Sequence, residues 1–208
     1  MKKAVSMFLT LALMAASLTA CGSNENGGNN QQSAGTEGEA GETFFIGGIG
    51  PETGENSIYG LAVRNGAQIA VDEINEAGGI NGYQIAYDFQ DDEGDAEKAI
   101  NAYNTLKDWG MQMLMGAVTT TPSVAVADKT AEDGMLQITP SGSSLDCVKN
   151  DNVFQVCFTD PNQGIESAKY VGEAGLAQKV AVIYNSQDSY SSGIAEAFIA
   201  EAENQPFE

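Results

Sequence analysis

Histidine is absent from all 208 residues. That gap removes Ser-His-Asp and Cys-His nucleophilic systems, His-containing metal sites and the commonest general base. Basic residues are nearly as scarce. Nine Lys and Arg stand against 29 Asp and Glu, a formal net charge of −20, and no basic stripe occurs after Lys3. A nucleic-acid partner is therefore excluded, because phosphate binding needs clustered cations. The one glycine-rich stretch that could hold a dinucleotide, Gly48-x-Gly50 with Gly54, has the spacing Gly-x-Gly-x-x-x-Gly, and Pro51 stands where a tight turn should lead into a helix. It does not fit the dinucleotide pattern. The acidic run Asp91, Asp92, Glu93 and Asp95 lacks the alternating spacing of a calcium loop and reads as a solvated helix start. No enzyme activity, cofactor or metal is indicated.

What is present begins at the N-terminus. Lys2 and Lys3 precede the apolar block Met7 to Ala16, which is too short to span a bilayer stably, and Leu18-Thr-Ala-Cys21 closes the stretch. The order of basic start, apolar middle and small residues marks an export signal over residues 1–20. Its end resembles a bacterial lipobox, which implies lipid attachment at Cys21 and a membrane-anchored location outside the cytoplasm. Residues 21–42, after Cys21 almost wholly Gly, Asn, Gln, Ser, Glu and Ala without aliphatic periodicity, read as a flexible tether. With Cys21 lipidated, Cys147 and Cys157 remain as an even pair and a candidate disulfide, with two free thiols as the alternative.

From Phe44 the chain beats regularly between strand and helix. Apolar Phe44 to Gly50 reads as a first buried strand. Val63, Ala67, Ala70, Val71 and Ile74 recur at helical spacing, and Ala77-Gly78-Gly79 supplies a C-terminal stop. Tyr83, Ile85, Tyr87 and Phe89 alternate as a second strand, and the acidic turn then opens a helix over Ala96 to Trp109. Strands at Met111 to Met115 and Met135 to Ile138 flank a helix over Pro122 to Ala131. The rhythm resumes with strand Val153 to Phe158, helix Pro161 to Glu173, strand Lys179 to Tyr184 and helix Ser191 to Glu203. Such alternation predicts an α/β fold with a parallel sheet flanked by helices.

Five segments carry a family resemblance: Ile46-Gly-Gly-Ile-Gly-Pro-Glu-Thr-Gly54, Tyr59-Gly60, Ala70-Val-Asp-Glu-Ile-Asn-Glu-Ala-Gly-Gly-Ile-Asn-Gly82, Ile138-Thr-Pro-Ser-Gly-Ser143, and Val180-Ala-Val-Ile-Tyr184 with Tyr190. Together they resemble the type I periplasmic substrate-binding proteins of branched-chain amino acid ABC transporters. The resemblance implies two α/β lobes with a ligand cleft between them. Residues 43–158 resemble the first lobe, and 159–208 the start of a truncated second lobe. It further implies a small amino acid as ligand and ABC permease subunits as partners.

The candidate site lies where ligands sit in open parallel sheets, beyond the carboxyl ends of strands. Two such ends are rich in hydroxyls, Thr119-Thr120-Thr121 and Ser141-Gly142-Ser143-Ser144. A helix starting near Pro122 would add free N–H groups and a partial positive charge. By resemblance, Thr120 aligns with a serine that binds the ligand carboxylate, and Ser141, Gly142 and Ser143 with the loop holding carboxylate and ammonium. Tyr59 and Tyr190 align with aromatic walls on the two sides of the cleft. The family's acidic ammonium partner lies later in the second lobe. The extra hydroxyls of Ser141 and Ser143 favour a more polar amino acid or an amide. A ligand sensor on the same fold, or an inactive fragment, is the alternative reading.

Overall fold

A computed structural model describes residues 42–208. The expected signal segment, Cys21 and all of the tether before Glu42 lie outside the described residues. The first strand, β1, is Thr43–Gly50, and β2 (Gln84–Asp91), β3 (Met113–Met115), β4 (Leu136–Thr139) and β5 (Val153–Gln155) follow it. Between and after them run α1 (Ser57–Glu76), α2 (Ala96–Trp109), α3 (Thr120–Asp133), α4 (Asp160–Glu173) and α5 (Ser189–Ala202), with a short 3-10 turn at Leu145–Val148. The sheet order is β2-β1-β3-β4-β5, and every pairing is parallel. The α/β architecture read from the sequence is the one observed.

Local chemistry explains the elements. Asp95 sits in extended backbone and its carboxylate accepts from Lys98 N, starting α2. Gly110 then ends α2 in the left-handed region at φ 99°. Strand β1 is glycine-rich because its neighbours need the room: a Cβ on Gly47 would lie 2.5 Å from Met111 Sδ, and one on Gly50 would collide with Val118. The gap admits Leu106 and Met111, which join Ile49, Tyr103, Leu114, Ala117 and Val126 in the core. That core lies between β1 and β3 on one side and α2 and α3 on the other.

One predicted strand does not form. Val180 to Tyr184 has no ladder, and Ile183 is 97% exposed. The run meets a single backbone neighbour, with Val180 N–H donating to Glu208 O at 2.6 Å and Glu208 N–H to Gln178 O at 2.9 Å. Apolar alternation marks a strand, but a strand is completed by neighbours on its edges. The described helices include none long and apolar enough to cross a membrane.

Candidate functional site

The sheet changes direction between β1 and β3: the chain steps from β1 to β2 on one side and returns to place β3 on the other. Above such a switch point, loops splay apart and leave a crevice at the strands' carboxyl ends. A cavity of about 400 Å³ opens there, and the segments after all five strands contribute to it. Asn56 and Tyr59 come after β1, Gly94 after β2, Val118 to Pro122 after β3, Ser141 and Ser143 after β4, and Cys157 and Phe158 after β5. Gln163 of α4, with Asp188 and Tyr190 at the start of α5, closes the opposite side.

The start of α3 shows why this corner suits an anion. Thr119 is the N-cap residue, so Thr120, Thr121 and Pro122 are the first helical positions. A capping side chain bonds the N–H of the second or third helical residue, and here the third is a proline without one. Thr119 makes no side-chain cap. Its hydroxyl is buried with no partner among the described residues and lines the cavity. An unspent hydroxyl beside the unpaired first-turn N–H groups of a helix is a donor set for a carboxylate.

The β4 loop completes it. Ser143 N–H donates to Thr120 Oγ1 at 3.1 Å, and the Thr120 and Ser143 hydroxyl oxygens lie 3.5 Å apart. Thr120 and Ser143 are 4% and 3% exposed, so their hydroxyls meet at the floor of the crevice. Ser141 Oγ donates to Val118 O at 2.6 Å, tying the tips of β3 and β4 together. No Lys or Arg lines the cavity, and Asp188 is its one charged lining residue. The cradle is neutral and built of hydroxyls and amides.

Of the residues singled out in the sequence, Tyr59, Thr119, Thr120, Thr121, Ser141, Ser143 and Tyr190 all line this one cavity. Tyr59 and Tyr190 stand at its mouth, 61% and 44% exposed. Gly142 departs from the expectation. It is buried beneath the cradle, with its N–H donated to Thr139 Oγ1 at 2.9 Å and its carbonyl taken by Gln155 Nε2 at 2.5 Å. The Cys147–Cys157 bridge is also not formed, and both are free thiols. Each faces a different carbonyl, Cys147 that of Thr120 at 3.9 Å and Cys157 that of Gly142 at 3.5 Å. Burial pushes the Cys147 thiol up to about 12, so it stays protonated.

Sequence reasoning missed Asn56, Cys157, Gln163 and Asp188 as lining residues. Asn56 and Gln163 carry no motif of their own, although Asn56 could have been found as a neighbour of Tyr59. It also missed Asp160, which is 1% exposed and has Oδ2 without a partner among the described residues. Burial raises its carboxyl, and the hydroxyl of Ser143 partly offsets the shift. Asp91, from the acidic turn, is spent on structure: it accepts from Glu52 N–H at 2.8 Å and Thr53 Oγ1 at 2.7 Å.

Residues 43–208 match the family model described as periplasmic binding protein. The Leu/Ile/Val-binding protein BraC3 of Rhizobium johnstonii is 38% identical over 157 residues, which is 74% of this chain and 42% of that protein. Among solved structures, the branched-chain amino acid transporter substrate binding protein LivJ of Streptococcus pneumoniae, in complex with isoleucine, superposes with a TM-score of 0.73 at 32% identity. It covers 77% of this chain and 47% of its own. The leucine binding protein LivK of Thermotoga maritima gives a TM-score of 0.71 at 27% identity over 78% of this chain and 46% of that one. The chain thus spans less than half the length of these relatives. With its parallel sheet, switch-point crevice and matching segments, it belongs to the periplasmic binding protein family and is similar within it to the branched-chain amino acid proteins.

Proposed function

We propose that this polypeptide is an extracytoplasmic, lipid-anchored solute-binding protein of an ABC importer. It captures a branched-chain or other small amino acid in a cleft between two lobes, 43–158 and a second one begun by 159–208, and delivers it to a membrane permease. The observation that carries the reading is the meeting of Thr120 and Ser143 at the cavity floor, where Ser143 N–H now donates to Thr120 Oγ1 at 3.1 Å. A ligand carboxylate entering there accepts from the Ser143 N–H, from the hydroxyls of Thr120 and Thr119, and from the first turn of α3. Tyr59 and Tyr190 at the mouth supply apolar walls for the ligand side chain. Closure of one lobe over the other excludes water from these donors and strengthens them.

The binding of isoleucine by the Streptococcus pneumoniae relative supports the ligand class, and the family supports a location outside the cytoplasm. Calorimetric titration of the protein carrying both lobes against leucine, isoleucine, valine and the other common amino acids is the test. Heat from an aliphatic or small polar amino acid is the expected result. Silence toward every amino acid together with tight binding of a sugar or nucleotide overturns the ligand class. The 208-residue chain alone is expected to bind weakly or not at all, because a ligand needs most of its surface enclosed.

A further inference from the structure

Beneath the cradle lies a second polar layer, set back from the cavity lining. Ser123 of α3 and Thr139 at the end of β4 are both fully buried, and neither lines the cavity. Both hydroxyls converge on one carbonyl: Ser123 Oγ donates to Ala117 O at 2.7 Å and Thr139 Oγ1 donates to the same atom at 2.8 Å. The two oxygens lie 3.1 Å from each other. On the far side, Thr139 Oγ1 accepts the Gly142 N–H at 2.9 Å. One proton per hydroxyl and two lone pairs per oxygen suffice for this set, so Gly142 N–H, Thr139, Ser123 and Ala117 O form a satisfied chain.

Its two ends are the two halves of the cradle. Ala117 precedes the Val118 to Thr121 segment, and Gly142 stands between Ser141 and Ser143. A carbonyl held by two hydroxyls fixes the peptide plane that leads into Thr119 and Thr120. An amide held by Thr139 fixes the plane joining Ser141 to Gly142 and turns the Ser141 carbonyl away from the buried layer, because the two groups of a trans peptide point in opposite directions. The close approach also explains residue 142. A Cβ there would lie 2.6 Å from Ser123 Oγ and 2.7 Å from Thr139 Oγ1, so only glycine lets the loop reach them. Deeper still, Gln137 Nε2 donates to Gly116 O at 3.0 Å and Thr130 Oγ1 donates to Gln137 Oε1 at 2.8 Å, extending the layer under β3.

We propose that Ser123 and Thr139 are positioning residues: their hydroxyls clamp the β3 tip and the Ser141 to Ser143 loop in the relative placement that makes the cradle bind. This rests on the amino-acid reading of the cradle. The cost of such a layer is that every member must be satisfied: losing the Thr139 hydroxyl leaves the buried Gly142 N–H unpaired, and losing that of Ser123 leaves the Ala117 carbonyl with one donor in place of two.

The experiment has two readouts. Amide hydrogen exchange at Gly142 and Ser143 is followed in the 208-residue chain, and leucine affinity is followed by calorimetry in the protein carrying both lobes. Thr139→Val keeps the shape and removes the hydroxyl, and Ser123→Ala serves as the second variant should Thr139→Val not fold. Each is expected to speed Gly142 exchange about tenfold and to weaken leucine about tenfold. Thr139→Ser is expected to restore both. Val126→Ala, in the core nearby, is expected to lower thermal stability without moving Gly142 exchange. Gly142 exchange and affinity within twofold of the parent in both hydroxyl-deleted variants overturns the proposal, and so does failure of Thr139→Ser to restore them. If the parent binds no amino acid, the cradle reading falls, and Gly142 exchange still decides whether the clamp exists.

Discussion

Residues 43–155 and residues 176–208 carry the same alternation of apolar runs and helical faces, yet they fold to different degrees. In the first region five strands pair side by side and bury Ile49 and Leu114 completely. In the second, Val182, Ile183 and Tyr184 stay 38%, 97% and 45% exposed, although α5 forms and packs on α4. A Cβ on Gly164 of α4 would collide with Ile194 O of α5, which shows how closely the two helices approach. A helix closes its backbone hydrogen bonds within itself, whereas a strand borrows them from its neighbours. The pair of bonds joining Gln178 and Val180 to Glu208 has the pattern of one rung of a parallel ladder. The second region is thus one formed helix beside an extended run that is joined to Glu208 by a single rung.

The sharpest way to break this comparison is to shorten one apolar side chain in each region. Leu106 is fully buried between α2 and β1. Leu106→Ala is expected to cost about 3 kcal/mol, within the usual range for such a cavity. Ile183→Ala is expected to fall within about 0.5 kcal/mol of the parent, as surface changes do. Urea denaturation of both variants checks the pair. A cost at Ile183 comparable to that at Leu106 means the second region is as well packed as the first.

Legibility in the sequence followed the same division. Signals that act within a few residues were readable: α2 runs over the Ala96 to Trp109 that the acidic turn announced, and Gly78 and Gly79 end α1 with φ values of 99° and 81°. The hydroxyl-rich strand ends were readable because topology sends such ends to one place, and seven of the eight candidate lining residues meet in one cavity. Gly142 sits behind the lining, and the reason lies in contacts with Ser123 and Thr139, 19 and 3 residues away, that only the fold brings together. Thr139 and Ser123 themselves look like ordinary polar residues in a strand end and a helix face. Only the fold reveals that both are buried against one carbonyl. The strand at Lys179 to Tyr184 does not form for the opposite reason, since its local pattern is sound and its pairing stops at the single rung with Glu208.

A second effect sharpens the comparison through pH. Asp92 is fully buried in the first region, and burial pushes its carboxyl up to about 6, against a hydrogen bond from Gly94 N–H and with the Asp91 and Asp95 charges adding to the rise. A carboxyl raised in the folded state holds its proton where the unfolded chain has lost it. Its contribution to stability is present below the unfolded value near 4 and is lost as pH rises through about 6. The chain has no histidine to mask this window. Asp92→Asn removes the titration, so the stability of the variant relative to the parent is expected to grow by roughly 2 kcal/mol between pH 4 and pH 7. Urea unfolding at the two pH values measures it. A pH-independent difference would show that Asp92 is ionised throughout.

The smallest effect compares two helix caps of the same chemistry. Asp95 accepts from Lys98 N at 2.9 Å at the start of α2, and Asp188 accepts from Ser191 N at 3.1 Å at the start of α5. Replacing either by alanine removes about 1 kcal/mol of local stabilisation. Where that loss is felt depends on what the helix is joined to. Helix α2 presses Leu106 and Tyr103 into the core under β1, so Asp95→Ala is expected to lower the global unfolding free energy by nearly the full amount. Helix α5 leans chiefly on α4, so Asp188→Ala is expected to speed amide exchange at Ser191 and Ser192 while leaving the amides of β1 and β3 unchanged. Equal slowing or speeding of exchange across both regions would mean that α5 and the sheet unfold as one unit, and the contrast between the two regions would then be a matter of surface exposure alone.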